Sequence, residues 1–275
     1  MNPHAPAAVS LVSLFKSLWI NRELILRLTK RDVIGRYRGS AMGLLWSFIN
    51  PLALLVVYTF VFSVVFKARW GVDQEPRAQF AVVLFSGMII HSLFSETLIR
   101  APSLMISNVS YVKKIVFPLE ILPVVAIGAS CFHAVISIFV LICAILFLDG
   151  SLSWTVLFMP LILLPMVLFS LGAAWILASV GVYLRDVGQP IGLCMTILLF
   201  ASPVFYPISA LPAEYRPWLN LNPLTFIIEQ TRAVLIYGQM PVFSGLALYA
   251  LISLIVLWTG YAWFQKTRKG FANVL

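Results

Sequence analysis

The chain has 275 residues, of which 61% are hydrophobic and only 11% charged, and its mean hydropathy is +0.98. That composition excludes an ordinary soluble domain and indicates several membrane spans. The net charge of +9 does not mark a nucleic-acid surface, because Lys and Arg sit at the edges of apolar runs, where membrane topology places them.

Residues 1–9 read as disordered. Ser10 to Ile20 sets Leu11, Leu14, Phe15, Leu18 and Trp19 at helical spacing, with Ser13, Lys16 and Ser17 opposite. This is an amphipathic helix too short to span, with a Trp suited to the interface. Asn21 to Arg38 continues as a polar helix in which Glu23 and Arg27 pair at i,i+4. No apolar segment followed by a small-residue cleavage site occurs there, so the N-terminus is expected in the cytoplasm.

The stretch from Arg31 to Pro51, RDVIGRYRGSAMGLLWSFINP, organises the chain. Its basic half cannot cheaply enter hydrocarbon, and its apolar half opens a run to Phe66. Roughly 26 residues from Ala41 to Phe66 make about 39 Å of helix, more than the ~30 Å hydrocarbon core, so this span must tilt or begin among headgroups. A first membrane helix with a plain basic anchor satisfies the same pattern.

A polar loop, Lys67 to Gln79, leads to a second span from about Phe80 to Ile99, with His91 near its middle and Glu96 one turn before Arg100. Ionisable groups in a span are functional suspects. The plainer reading is a Glu96–Arg100 pair at the cytoplasmic edge and a histidine bonded to a neighbouring helix. Pro102 to Pro118 is hydrophilic, carries Lys113 and Lys114, and forms about two helical turns. The third span runs from about Leu119 to Leu148. A loop without Lys or Arg, Asp149 to Trp154, precedes a fourth span, Thr155 to Leu184. Gly172, Ala173, Ala174, Ala178, Ser179 and Gly181 in it permit close helix approach. Arg185 and Asp186 mark a tight turn.

The fifth apolar stretch, Ile191 to Tyr206, is short and bounded by Pro190, Pro203 and Pro207, the pattern of a discontinuous or re-entrant element. Asn222 and Pro223 then read as N-cap and first residue of a helix reaching about Tyr237. Glu229 and Arg232 stand one turn apart in it, and it is expected at the outer face. The last span is Val242 to Phe264, with Lys266, Arg268 and Lys269 beyond. Six spans with both termini inside leave only Lys67, Arg69, Arg77, Arg216 and Arg232 of the 19 Lys and Arg outside.

Chemistry is nearly absent. There is no G-x-x-x-x-G-K-[ST] loop, no H-E-x-x-H and no G-x-S-x-G. Cys131, Cys143 and Cys194 lie in apolar runs at no metal-ligand spacing and read as apolar fillers. Carboxylates are almost missing from the spans, which argues against a proton relay. His91, His133 and Glu96 sit on different segments, so no transferase site is visible. The residues alone describe an all-α integral membrane protein, half of a pore or permease with its energy source elsewhere.

The series RDVIGRYRGSAMGLLWSFINPL, SNVSYVKKIVFPLEILP, RDVGQP, SPVFYP and NPLTFIIEQTRAVL, in this order from about Leu24 to the C-terminus, resembles the permease subunits of type-2 ABC transporters that export polysaccharides. The likeness is closer to the O-antigen and teichoic-acid branch than to the capsule branch. It implies an N-terminal region, 1–40, with interface helices, and a six-span permease domain, 41–275. Within the latter it implies a coupling helix at about 103–118 and an external gate at about 203–240. The resemblance further implies a second copy of the chain and two separate ATP-binding cassette subunits holding ATP and Mg, with no cofactor or metal in this chain. The substrate would be an undecaprenyl-pyrophosphate-linked glycan moved across a bacterial inner membrane.

Under that resemblance Arg31, Arg36 and Arg38 would draw in the phosphate, or serve only as topological anchors. Trp46, Phe48, Tyr58, Phe60, Phe200, Phe205 and Tyr206 would line a channel, although span aromatics often face lipid. Asn108, Tyr111, Lys113, Lys114, Phe117 and Glu120 would couple to the cassette, and Glu229 and Arg232 would belong to the gate. Teichoic acid, capsular polysaccharide, lipid or drug remain alternative cargoes, and an integral-membrane glycan transferase is the alternative of another class.

Overall fold

The computed structural model describes residues 10–65, 77–113 and 117–275. The N-terminal segment 1–9, most of the polar loop after the first span, and Lys114 lie outside the described residues. Among the described residues all regular structure is helical.

Helix α1 (Leu11–Ile20) is capped by Ser10, whose hydroxyl oxygen accepts from the Ser13 N–H at 3.1 Å. Leu14 is buried and Leu11 and Leu18 pack beside it, while Phe15 and Trp19 remain exposed. The apolar stripe is therefore split between the protein and a membrane-facing side. Helix α2 (Arg22–Arg36) keeps the Glu23–Arg27 pair at 3.7 Å. Its Leu28 packs on Ile121 and Val125. The chain then turns through residues 37–45, with Gly39 at φ 86° and Gly43 at φ 51°, backbone that only glycine holds without strain. The basic and apolar halves of the Arg31–Pro51 stretch thus belong to two elements joined at a glycine turn.

Helix α3 (Trp46–Tyr58) carries Pro51 inside it and continues into a wider π-helical turn, Thr59–Val65. Helix α4 (Arg77–Arg100) follows. Residues 101–113 form a string of single turns that ends in α5 (Val109–Val112), in place of one continuous coupling helix. Helix α6 (Ile121–Asp149) stops at Gly150, whose φ of 68° supplies the left-handed cap. Then come α7 (Met159–Tyr183), α8 (Gly188–Ala201), α9 (Arg216–Leu219), α10 (Pro223–Leu235), α11 (Phe243–Thr267) and α12 (Phe271–Val274).

Among the described residues, five stretches are long and apolar enough to cross a membrane: Gly43–Phe62, Phe80–Ser103, Ile121–Leu148, Trp154–Tyr183 and Phe243–Val274. The fifth apolar stretch of the sequence is not one of them. Its helix α8 begins at Gly188, earlier than expected, and stops at Ala201 because Pro203 follows. Its 14 residues reach only about 21 Å, short of the ~30 Å hydrocarbon core. Helix α10 does not lie on the bundle as a surface helix. Leu224, Ile227, Ile228, Val234 and Leu235 are buried, and so are Thr231 and Arg232. The N-cap is as expected, with the Asn222 side chain accepting from the Leu224 N–H at 2.9 Å.

Two apolar cores stack along the bundle. One joins α4, α6, α7, α8 and α10. The other joins α1, the segment after α4, the start of α6 and the last turns of α7 and α11, together with Phe271 of α12. Both described ends of the chain therefore lie at one end of the bundle. Helices α7 and α11 touch through their backbones: a Cβ on Gly172 would strike the Val256 carbonyl, and one on Gly260 the Gly172 carbonyl. Gly181 sits equally close to Pro102. The small residues of the fourth span serve the close packing expected of them.

Candidate functional site

Beside Arg36, α2, α3, α4 and α6 line a mixed polar and apolar cavity of about 230 Å³ that reaches from Glu96 along α4 to Phe85. Ser47, Asn50, Pro51 and Leu54 come from α3; Phe85, Met88, Ile89, Ser92, Leu93 and Glu96 come from α4; Ser130, His133, Ala134 and Ser137 come from α6. The spacing on α3 and on α6 is i, i+3, i+4, i+7, one stripe of a helix. Pro51 has no N–H, so the Ser47 carbonyl loses its helical donor beside the cavity. Arg36 and Tyr37 close one side.

The rim is an ion-pair network. Arg36 Nη2 donates to Glu96 Oε1 in a short contact. Arg100 Nη2 donates to both carboxylate oxygens of Asp32 at 2.8 and 2.7 Å. Arg100 Nη1 is 3.7 Å from Glu96 Oε1. The Tyr37 hydroxyl lies 3.4 Å from His133 Nδ1, while His133 Nε2 is buried without a hydrogen-bond partner. The Glu96–Arg100 pair expected from the sequence is thus the looser half of the network. The Arg36 side chain is 38% exposed and that of Glu96 22% exposed, so solvent screens the pair only in part. The cavity is smaller than the ~300 Å³ at which drug-sized pockets begin, so it fits a phosphate-sized polar group and not a glycan chain.

The three arginines of the basic stretch part company. Arg36 lines the cavity. Arg31 Nη1 donates to the Tyr111 hydroxyl at 2.8 Å, and Tyr111 stacks on Phe117 with centroids 4.4 Å apart. Arg31 therefore ties α2 to the segment after α4. Arg38 is exposed in the glycine turn. Of the expected coupling residues, Asn108 uses its side chain to bond the Leu104 carbonyl at 2.9 Å, and Lys113 is exposed. Glu120 is buried: Ser17 Oγ donates to it at 2.9 Å, Arg268 Nη1 at 3.1 Å, and Trp175 Nε1 donates to its backbone carbonyl at 3.0 Å. It joins α1, α7 and the C-terminal tail at the start of α6.

None of the seven channel aromatics lines the cavity. Trp46, Phe48, Phe60 and Phe200 are exposed, and Phe48 meets Phe139. Towards the opposite end of the bundle, Phe62 draws an aromatic group together, with Tyr58 at 6.4 Å, Phe80 at 5.6 Å and Phe205 at 6.3 Å, and Phe205 stacks on Phe200. The Tyr206 hydroxyl donates to the Phe200 carbonyl at 3.0 Å. Phe62, Phe80 and the cavity serines are not singled out by the sequence. The polar residues Ser130, His133 and Ser137 at i, i+3, i+7 of an apolar span are the signal that could have found the serines of α6.

Near that same end, Arg232 is buried and reaches three partners. Nη1 donates to Glu229 at 2.9 Å, Nη2 to the Val204 carbonyl at 3.2 Å and Nε to the Val83 carbonyl at 3.3 Å. His91 Nε2 donates to the Met195 carbonyl at 2.9 Å, a bond between α4 and α8. Among the described residues no three His, Cys, Asp or Glu side chains cluster as metal ligands do.

The family model described as ABC-2 type transporter matches residues 23–236. The chain belongs to the ABC-2 type transporter family. It is 27% identical over 265 residues to the O-antigen export system permease protein RfbA of Myxococcus xanthus, covering 96% of this chain and 99% of that protein. It is also 27% identical to the protein of that name from Klebsiella pneumoniae, covering 92% and 95%. With the polysialic acid transport protein KpsM of Escherichia coli it shares 22% identity, over 87% of this chain and 91% of the other. This ABC-2 family member thus combines a cavity lined by Arg36, Glu96 and His133 with an arginine-centred, tightly packed helix α10.

Proposed function

We propose that the chain is the membrane subunit of an ATP-driven polysaccharide exporter, with a lipid-linked O-antigen-type glycan as its cargo. The observation that carries this reading is full-length kinship with transporters named for polysaccharide export. The cavity beside Arg36 supports it, because a site of that size with an arginine in its lining suits the diphosphate of a polyprenyl carrier. Arg36 receives the phosphate there. The string of turns after α4, braced by Arg31 and Glu120, is the surface on which a separate ATP-binding subunit pushes. ATP is hydrolysed in that subunit, for the sequence has no P-loop.

Two copies of the chain pair, and α3, the least covered of the five long helices, is available to the partner or to lipid. Both described ends lie at one end of the bundle, which requires an even number of crossings. Five long helices reach that number when the α8–α10 region counts as a sixth, broken passage. The termini end then faces the cytoplasm, where the basic residues of α2 and the tail belong. Affinity purification from native membranes tests the assembly. The expected result is a P-loop ATPase in equal amount with the chain. Purification of the chain alone, from cells holding its whole gene neighbourhood, would favour a transferase or a self-contained channel.

A further inference from the structure

The cavity-side arginine is not free in this structure, and its occupied state indicates how a phosphate could be admitted. Arg36 is held by Glu96, and Glu96 Oε1 also stands 3.7 Å from Arg100 Nη1. That Nη1 is buried and makes no hydrogen bond, while Nη2 of the same guanidinium is fixed by Asp32 on α2. One arm of the Arg100 fork is thus anchored and the other is empty, facing the carboxylate that now serves Arg36.

We infer that Arg36, Glu96 and Arg100 form an ion-exchange latch, in which the diphosphate of a lipid-linked substrate takes Arg36 from Glu96 and the displaced carboxylate closes onto Arg100 Nη1. This rests on the access reading above. The movement required is small: bringing 3.7 Å to an ordinary charge-assisted bond of about 2.8 Å takes about 0.9 Å, within reach of side-chain rotation in a partly exposed glutamate. The exchange keeps every charge paired. Before it, Arg36 holds Glu96 and Arg100 holds Asp32; after it, Arg36 holds the phosphate and the Arg100 fork holds both carboxylates. Without the empty arm, a carboxylate pushed off Arg36 would face the incoming anion unpaired. With it, the resting site is closed to weak anions and opens to one strong enough to displace a carboxylate. His133, its Nε2 without a hydrogen-bond partner at the cavity wall, supplies a further donor to the phosphate when its Nδ1 accepts from Tyr37.

The test is the affinity of the full chain, in nanodiscs of zwitterionic lipid, for farnesyl diphosphate, with farnesol, inorganic pyrophosphate and phosphatidylglycerol as competitors. The latch predicts that Glu96→Gln binds about tenfold tighter, a shift of the size usual for coupled sites. Glu96→Asp, whose shorter carboxylate withdraws from Arg36, should fall between, and Arg36→Gln should bind about tenfold more weakly. Tightening by neither Glu96 variant, with Arg36→Gln still weakened, overturns the latch and leaves the access reading standing. Weaker binding by Glu96→Gln makes the pair a staple between α2 and α4 and also overturns the latch. Unchanged binding by Arg36→Gln removes the access reading itself. Competition by pyrophosphate or phosphatidylglycerol as strong as that of farnesyl diphosphate overturns the assignment to a lipid-linked diphosphate.

Discussion

Arg232 shows what one residue contributes to the far end of the bundle. It is 1% exposed, yet its guanidinium has a carboxylate and two backbone carbonyls as partners. Burial of such a group is tolerated because each donor finds an acceptor. Replacing it with Met fills the space but leaves Glu229 and the Val204 carbonyl without that donor, while the Val83 carbonyl keeps the Ser86 hydroxyl at 2.7 Å. The expected loss is about 2–4 kcal/mol, read as a lower midpoint in thermal unfolding of the purified chain. Arg232→Lys should not restore it, since an ammonium lacks the fork that meets three directions. An unchanged midpoint for Arg232→Met would refute this account of α10. The Glu229–Arg232 spacing is legible in the sequence as one helical turn. The two carbonyls are not, because they lie 149 and 28 residues away. In the sequence α10 reads as too polar to span freely, and only the fold supplies the buried partners of its polar side chains.

At the scale of elements, the small residues of α7 act where two helices meet. A methyl group on Gly172 or Gly260 would meet backbone of the facing helix, which cannot move aside as a side chain can. Gly192 on α8 has nothing within 4 Å of the same position. Gly260→Ala should therefore destabilise the chain by about 1–3 kcal/mol through overpacking. Gly192→Ala should be neutral or slightly stabilising, since alanine is the better helix former. Thermal unfolding of the two variants side by side distinguishes them, and equal midpoints would contradict backbone contact between α7 and α11. Long apolar periodicity makes the five long helices legible in the sequence, and the Pro-bounded fifth stretch is recognisable as irregular. The end of α8 is misplaced because apolar residues continue past Ala201 to Tyr206, and hydropathy does not register a turn that Pro203 enforces. The basic stretch before α3 reads as one unit, but Arg31 and Arg36 stand five residues apart on α2 and meet different neighbours, and Arg38 lies beyond the end of that helix.

For the whole molecule, the arrangement places a cavity beside Arg36 and a tightly pinned helix α10 in one of the two apolar cores. Close packing of this kind transmits a displacement by moving helices as bodies. The turns after α4 are held by Arg31 and Glu120 to α2, α1, α7 and the C-terminal tail, and a push there reaches several helices together. Kinship indicates which cargo is moved. The most direct test is transport itself. The chain and its ATPase partner are reconstituted in vesicles with a polyprenyl-diphosphate-linked glycan on the ATPase side, and a membrane-impermeant glycosidase reports glycan at the opposite face. The account predicts that glycan becomes accessible only when ATP is hydrolysed and that Arg36→Gln slows this step. ATP hydrolysis that leaves the glycan inaccessible, while a free lipid or drug crosses, would contradict it.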